Sequence, residues 1–480
     1  MKYPIACMLG LSVWILSTSA RTAEPAPRFV PPSPLGRTLK GPHSNTENRS
    51  AETIDRPSSS TGSVTIDEAI ARALLRNEGL AVTAEEVRKA AARIRGAGLY
   101  PNPELAVDAE DFLGSGVAKG VSGIQVTAAV SQPVELGGKR RRRKSVAEQA
   151  EQIAAWQYEQ ARVALITDVK KAFYDVLAAQ RRTADAEDMV RITEDVLGTF
   201  QSQMEAGKIT AIEINNAEVA LARARIEASL AMRDLAARRR ALCVLWADMS
   251  CNVFEASGSF EIGGIVPPSE TLTPFLEDSP ELAAARAAVE QRQAEIALER
   301  AHAVPDVTFS VGYRWLNDPG DSAVVAGAAV PLPFANRNQG EVRAAEISLK
   351  QAQMKLDATR IRLTGALMER IETLAGAWSA ADILQREVLP KAAETLDAIR
   401  EGNRLGRFGY LDMLRAEETY FQVREETVAA TRLYLHALAE VEQLIARPLV
   451  MQERPSTTAL ARKPQSVPTP QEKPEQKDAP

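Results

Sequence analysis

The segment from 139 to 204 constrains this chain more than any other. Gly137 and Gly138 precede it, Gly207 follows it, and a thin apolar stripe runs along it at helical spacing: Val169, Phe173 and Val176, then Met189, Ile192, Val196 and Phe200. A helix of about 66 residues is roughly 100 Å long at about 1.5 Å per residue, far beyond the diameter of a globular core. It must therefore pack its stripe sideways against other helices, in a coiled-coil-like layer.

The same unit occurs twice. NEGLAVTAEEVRKAAARI at 77–94 is echoed by SPELAAARAAVEQRQAEI at 279–296, and YPNPELAVDAEDF at 100–112 by AVPDVTFSVGYRW at 303–315. EAGKITAIEINNAEVAL at 205–221 is paralleled by RLGRFGYLDMLRAEETY at 404–420, with Gly207 opposite Gly406. The offset stays at about 200 residues, too long for a solenoid repeat, and indicates a duplicated half-chain. Each copy reads helix, strand, strand, very long helix, glycine-marked turn, helix. The predicted helices cover 65–97, 139–204 and 211–247 in the first copy, and 281–302, 338–401 and 410–446 in the second. The two shorter helices of the first copy, laid end to end, match the span of the long one.

The predicted strands alternate. Val307, Phe309, Val311, Tyr313 and Trp315 share one face, with Asp306, Thr308, Ser310, Gly312 and Arg314 on the other; Ile124, Val126, Ala128 and Val130 likewise oppose Gln125, Thr127, Ala129 and Ser131. Strands of about 9 to 11 residues cross a bilayer when tilted, and Tyr313 and Trp315 stand where an interfacial aromatic girdle is expected. A half-exposed hairpin in a soluble domain alternates equally well. If the strands span a membrane, four of them cannot close a barrel and open edges are not tolerated in lipid. Several chains must then share one barrel: two, three or four chains would give eight, twelve or sixteen strands.

The ends of the chain set the compartment. Lys2, an apolar stretch through Leu16 and a small-residue cut site after Ala20 make 1–20 a secretory signal peptide, and no later segment has the ~20 continuous apolar residues of a membrane helix. The organisation that follows is a disordered N-terminal tail at 21–63, a first structural repeat at 64–250, an inter-repeat linker at 251–278, a second repeat at 279–447 and a disordered C-terminal tail at 448–480. The formal net charge of -5 gives no support to nucleic-acid binding. Lys139 to Lys144 are nonetheless six consecutive cations at the start of the longest helix, where the macrodipole prefers anions.

Several phrases resemble a known family. QPVELGGKRRRR after an alternating strand, VPLPFANRNQGE in the second half and the paired turns at Gly207 and Gly406 are similar to the outer membrane factors, the TolC-like efflux ducts, and most of all to their heavy-metal, CzcC-like branch. The resemblance covers about Val64 to Arg447. It implies a mainly α fold with membrane β: a homotrimeric α-barrel tube through the periplasm, continued by a shared twelve-stranded barrel in outer-membrane lipid. It also implies a passive exit duct for heavy-metal cations in a Gram-negative cell, docked on a periplasmic adaptor that joins it to an inner-membrane pump of the resistance-nodulation-division (RND) type. On this reading Lys139 to Lys144 fall where the second strand leaves the membrane. They form either a solvated face, with stems over apolar surface and heads in water or at lipid phosphate, or a charge that acts on cargo.

The resemblance assigns the turns at Gly207, Lys208, Ile209 and Thr210 and at Gly406, Arg407, Phe408 and Gly409 to adaptor docking. It places an acid six residues after each tip glycine, here Glu213 and Asp412, as a candidate pore gate; both acids would also suit the N-terminus of a helix. The family's second acid is replaced by Arg415, and its closing Tyr and Arg by Asn403 and Phe408, so the closing links are expected to differ. No catalytic set and no cofactor site is expected. His43, His302 and His436 have no partnering Cys or HxxxH spacing, so no His or Cys metal site is expected either. Cys243 and Cys251 form a periplasmic disulfide or remain two buried thiols. A drug-efflux duct or a type I secretion duct shares this architecture. A periplasmic adaptor needs a lipoyl-like β domain that is not found here, and a plain coiled coil leaves the alternating strands without a reason.

Overall fold

The computed structural model describes residues 62–206, 209–251, 255–318, 320–405 and 407–451. The signal peptide, nearly all of both tails, His43, Gly207, Lys208 and Gly406 lie outside them. The first half holds β1 (Ser63–Val64), α1 (Ile66–Arg76), α2 (Glu78–Ala97), β2 (Glu104–Glu110), β3 (Gln125–Val134), α3 (Lys139–Glu205) and α4 (Ala211–Val244). The second holds β4 (Glu255–Ala256), α5 (Ser269–Leu272), α6 (Pro280–His302), β5 (Val307–Leu316), β6 (Ser322–Ala329), α7 (Gln339–Ile383), α8 (Leu389–Arg404) and α9 (Tyr410–Ile445).

The end-to-end arrangement expected from the lengths is present. α3 packs against α1 and α2 along one part and α4 along the other. The junction is made by Asn77, which breaks the expected continuous helix 65–97 in two. Its side chain accepts the Leu80 N–H at 2.8 Å, capping α2, and donates to the Leu245 carbonyl at 2.8 Å, just beyond α4. In the second half Arg447, just beyond α9, reaches Asp278 before α6 at 2.8 Å and lies over the Phe275 ring.

The second long helix also departs from regularity. A single π turn, Leu384–Val388, separates α7 from α8. Pro390 follows one residue further on, and its missing N–H cannot serve the carbonyl four residues back, at Arg386 inside the turn, which is the ordinary cause of such an irregularity. Two features differ from the sequence expectation: β1 pairs in parallel with β4, and the outer strands β2 and β6 have only 7 and 8 residues. Gln180 of α3 clamps β4 by donating to the Ala256 carbonyl at 3.2 Å and accepting its N–H at 2.9 Å.

The core lies where the shorter helices meet. Val169, Phe173 and Val176 of the predicted stripe are fully buried with Ile70, Leu242 and Trp246. A second cluster joins Leu363, Leu367 and Leu374 of α7 to Leu282 of α6 and Tyr434, Val441 and Ile445 of α9. Each such side chain contributes about 1.5–3 kcal/mol on leaving water. Phe200 is buried near the far end of α3.

Around this core runs a belt of ion pairs between helices. Asp175 of α3 meets His436 at 3.0 Å, Arg432 at 3.2 Å and Arg238 of α4 at 3.6 Å. Lys170 reaches Glu442 at 2.6 Å, Arg370 reaches Glu440 at 3.1 Å, and Lys171 also pairs with Glu440. Burial alone would raise the Asp175 carboxyl, but the hydrogen bonds and charges of His436 and Arg432 outweigh it and hold it below the usual carboxylate range. The neighbouring Tyr174 phenol, desolvated, is pushed up to about 12.

A carboxyl whose pKa is lowered on folding adds stability above its unfolded pKa, and that stability is lost as pH falls through the folded value. Asp175→Asn is therefore expected to cost about 2 kcal/mol at neutral pH, read as a lower Tm by circular dichroism. The gap between wild type and variant should shrink as the pH is taken below about 4; a gap unchanged at low pH would show that the Asp175 charge is not what stabilises the junction.

Candidate functional site

The four-stranded sheet has the order β2-β3-β5-β6, all antiparallel. Its register sorts the predicted alternation into two faces. Val130 lies opposite Leu105 and Val311, Ala128 opposite Val107 and Tyr313, and Val126 opposite Ala109 and Trp315. Leu105, Val107, Phe309, Val311, Tyr313 and Val324 are all exposed on that apolar face. The other face is polar: Glu104, Asp108, Glu110, Gln125, Thr127, Ser131, Thr308, Ser310 and Arg314. There the Arg314 Nε donates to the Thr127 hydroxyl at 3.0 Å, and its guanidinium lies 4.0 Å from Glu110. One bare apolar face and one polar face with its own hydrogen bonds are what a wall between lipid and an aqueous lumen requires. β2 and β6 leave two edges without a strand partner among the described residues.

Below the sheet the basic run is largely neutralised. Lys139 is buried against Asp306 at 2.8 Å, and burial of that carboxyl is outweighed by the Lys139 and Leu136 N–H hydrogen bonds, which lower its pKa. Arg140 lies 4.0 Å over the Tyr100 ring. Arg143 forks onto Glu135 and donates to the Leu99 carbonyl at 3.2 Å, and Lys144 pairs with Glu148 at 3.3 Å. Arg141 and Arg142 are exposed. Gly137 makes the approach possible. Its φ of +69° is left-handed, and a Cβ there would meet Val304 at 3.0 Å and the Ala301 carbonyl at 3.1 Å. The second copy reaches the same helix start with Asn338, at φ +62°, which donates to both the carbonyl and the carboxylate of Glu299 at 2.8 Å.

At the far end of α3, Ile209 and Thr210 lead into α4. The Glu213 carboxylate accepts the Thr210 N–H at 2.7 Å and its hydroxyl at 3.2 Å. Asp412 does the same for the Gly409 N–H at 3.1 Å. Both candidate gate acids thus cap the helices that follow the turns. Asp412 also lines a groove of about 590 Å³ between α8 and α9, together with Lys391 and Arg415.

The second turn is held within one chain by contacts of Asn403, Arg407 and Phe408. The Asn403 amide donates to the Phe408 carbonyl at 3.0 Å, the Arg407 N–H to the Gly402 carbonyl at 2.8 Å, and the Phe408 ring lies so close over Gly402 that a Cβ there would collide with it. Behind the turn Arg400 pairs with the buried Glu417 at 3.2 Å, whose carboxyl is raised by burial.

Cys243 and Cys251 are brought together at the end of α4, their Cα atoms 6.0 Å apart. His302 faces Glu299 at 3.2 Å, and His436 belongs to the Asp175 cluster. Among the described residues no three His, Cys, Asp or Glu side chains converge as metal ligands, and no helix is long and apolar enough to cross a membrane.

Comparison with known proteins agrees with this geometry. The model of the family described as outer membrane efflux protein matches residues 69–248 and 272–447. The cobalt-zinc-cadmium resistance protein CzcC of Cupriavidus metallidurans is 32% identical over 391 residues, 82% of this chain and 92% of that protein. The crystal structure of CusC superposes with a TM-score of 0.66 at 17% identity, covering 79% of this chain and 91% of that one. The outer membrane channel CmeC of Campylobacter jejuni gives 0.65 at 13% identity, covering 79% and 85%. A duplicated set of long helices carrying a two-faced sheet, matched by a family model over both halves, has one interpretation: the chain belongs to the outer membrane efflux protein family, channels of the outer membrane that extend into the periplasm.

Proposed function

We propose that this chain is the exit duct of a tripartite efflux system for heavy-metal cations, a homotrimer fed through a periplasmic adaptor by an inner-membrane RND pump. One observation carries the assembly: a sheet with a bare apolar face and two unpaired edges, which lipid does not tolerate. Three copies would give twelve strands, with the leader at 1–20 directing export. The cargo reading is supported by the 32% identity, across nearly all of its length, to a protein named for cobalt, zinc and cadmium resistance. The duct is passive, and weak oxygen ligation along its polar face suits release better than a tight His or Cys site would.

Adaptor docking falls to the two turns, 207–210 and 406–409. Deleting the gene is expected to sensitise the cell to one or more of zinc, cobalt, cadmium, nickel, copper and silver, and not to hydrophobic antibiotics. The wild-type chain should restore resistance and Gly406→Pro should not. Sensitivity to antibiotics alone would move the cargo to drugs, and sensitivity to neither would favour protein secretion.

Asp412, and Glu213 with it, would form rings of negative potential at the closed end of a trimeric pore, in addition to capping helices. Asp412→Asn is expected to weaken blockade by trivalent cations in planar-bilayer recordings; undiminished blockade would leave the carboxylate a helix cap only. Cys243 and Cys251 would be a periplasmic disulfide. Thiol titration of the denatured protein should find no free thiol before reduction and two after it, and two free thiols without reductant would refute the bond.

A further inference from the structure

The basic run at 139–144 has no part in the duct as described, and the structure divides it. Nearest the membrane the helices form a layer in the order α2, α3, α6, α7, with α2 and α7 at its edges. Flanked on both sides, α3 sorts its first cations between the polar and the apolar side of the sheet above. Lys139 and Arg143 turn to the polar side, since their partners Asp306 and Glu135 keep step with Thr308 and Ser131 on the polar face. At about 100° per residue Arg141 falls about 200° from Lys139, on the apolar side, with Arg142 next to it in the chain. Arg141 and Arg142 are exposed and pair with no acid among the described residues.

Directly above these cations the chain is bare and apolar. Val134 ends β3 on its apolar side and Leu136 follows in step, both exposed. Pro331 stands opposite Pro133 in the duplicated unit, so Leu332 and Phe334 are the second copy of that pair. They are exposed at 67% and 82%. A cation accompanies them too: Arg337 is exposed, donates its Nε to the Pro333 carbonyl at 3.3 Å, and pairs with no acid among the described residues. Twice in one chain, two large apolar side chains are left in the open beside guanidinium groups that hold no carboxylate.

We propose that this collar is a seat for anionic phospholipid of the periplasmic leaflet. One headgroup phosphate rests on Arg141 and Arg142 with an acyl chain along Val134 and Leu136, and a second rests on Arg337 with its chain along Leu332 and Phe334. The place fits, because the helices of this family extend into the periplasm and the collar is where strands hand over to helices, continuous with the bare apolar face of the sheet. The charge fits as well. A guanidinium without a carboxylate is a fork for phosphate, and the ammonium of a zwitterionic headgroup would cancel much of that attraction. A charge that acts on cationic cargo would have to stand on the polar side, where Lys139 and Arg143 are already neutralised. The proposal needs the membrane location of the family and not the cargo.

The test uses the full mature chain purified from outer membranes and incubated with equimolar phosphatidylglycerol and phosphatidylethanolamine of identical acyl chains, with the bound lipid read by native mass spectrometry. The wild-type protein should retain phosphatidylglycerol in preference. Arg141→Gln or Arg337→Gln should each lower that preference about fivefold, Arg141→Lys should keep most of it, and Phe334→Ser should lower retention of both lipids alike. Because none of these guanidinium groups holds an acid, the Tm of the lipid-free Arg variants should match wild type. Inorganic phosphate in excess is the second arm and should leave the lipid in place. Displacement by phosphate alone would make the collar a plain anion site and overturn the seat. Equal retention of the two lipids, or a preference unchanged when Arg141, Arg142 and Arg337 are all replaced by Gln, would overturn it too; if that triple variant does not accumulate, the single variants decide. No metal enters the readout, so the seat stands or falls apart from the cargo reading.

Discussion

Unsatisfied backbone hydrogen bonds are the constraint on which the rest of this structure depends. In hydrocarbon no water can serve the outer N–H and C=O groups of β2 and β6, so a chain that contributes four strands is incomplete on its own. The helices inherit that incompleteness. Because the edge strands continue into the edge helices, whatever completes the sheet also decides what lies against α2 and α7. The polar face of the sheet follows from the same arrangement, since a closed wall has an inside, and Arg314 and Thr127 are already hydrogen-bonded to each other there.

The two halves share a plan and solve its local problems with different residues. A left-handed residue starts both long helices, but it is Gly138 in one half and Asn338 in the other. The end-to-end junction is an amide bridge from Asn77 to Leu245 in the first half and an ion pair between Arg447 and Asp278 in the second. The basic run occurs once, and most of it answers to partners that its surroundings provide: Tyr100, Glu135 and Glu148 from the first half and Asp306 from the second. Its position at a helix N-terminus is tolerated because those contacts supply the anions and the aromatic face that the macrodipole does not.

At the tips, the carboxylates proposed as a gate also cap helices. Glu213 and Asp412 each satisfy a backbone N–H at the start of a helix, which fixes them within a residue or two of the turn. In the proposed trimer a ring of such acids would be a by-product of how the helix must begin, and its electrostatic effect on a pore would need no additional fold requirement. Asn403 and Phe408 close the second turn on itself.

Period, duplication and breakers were legible in the sequence because they are local: the stripe of α3, the alternation of β3 and β5, the glycine turns and the count of four strands all depend on residues near one another. Asn77, Pro390 and Asn338 carried local signals too, and only a closer reading of caps and breakers would have found the interruptions they make. The sequence by itself determined a duplicated unit of long helices and alternating strands, and its resemblance to a family implied the tube, the membrane and the candidate tip acids. The tertiary structure alone decided which charges meet, as with Lys139 and Asp306 or Asp175 and His436, and which face of each edge helix is left bare. Those outcomes join residues more than a hundred positions apart, and no periodicity along one strand or helix records how separate elements are set against each other.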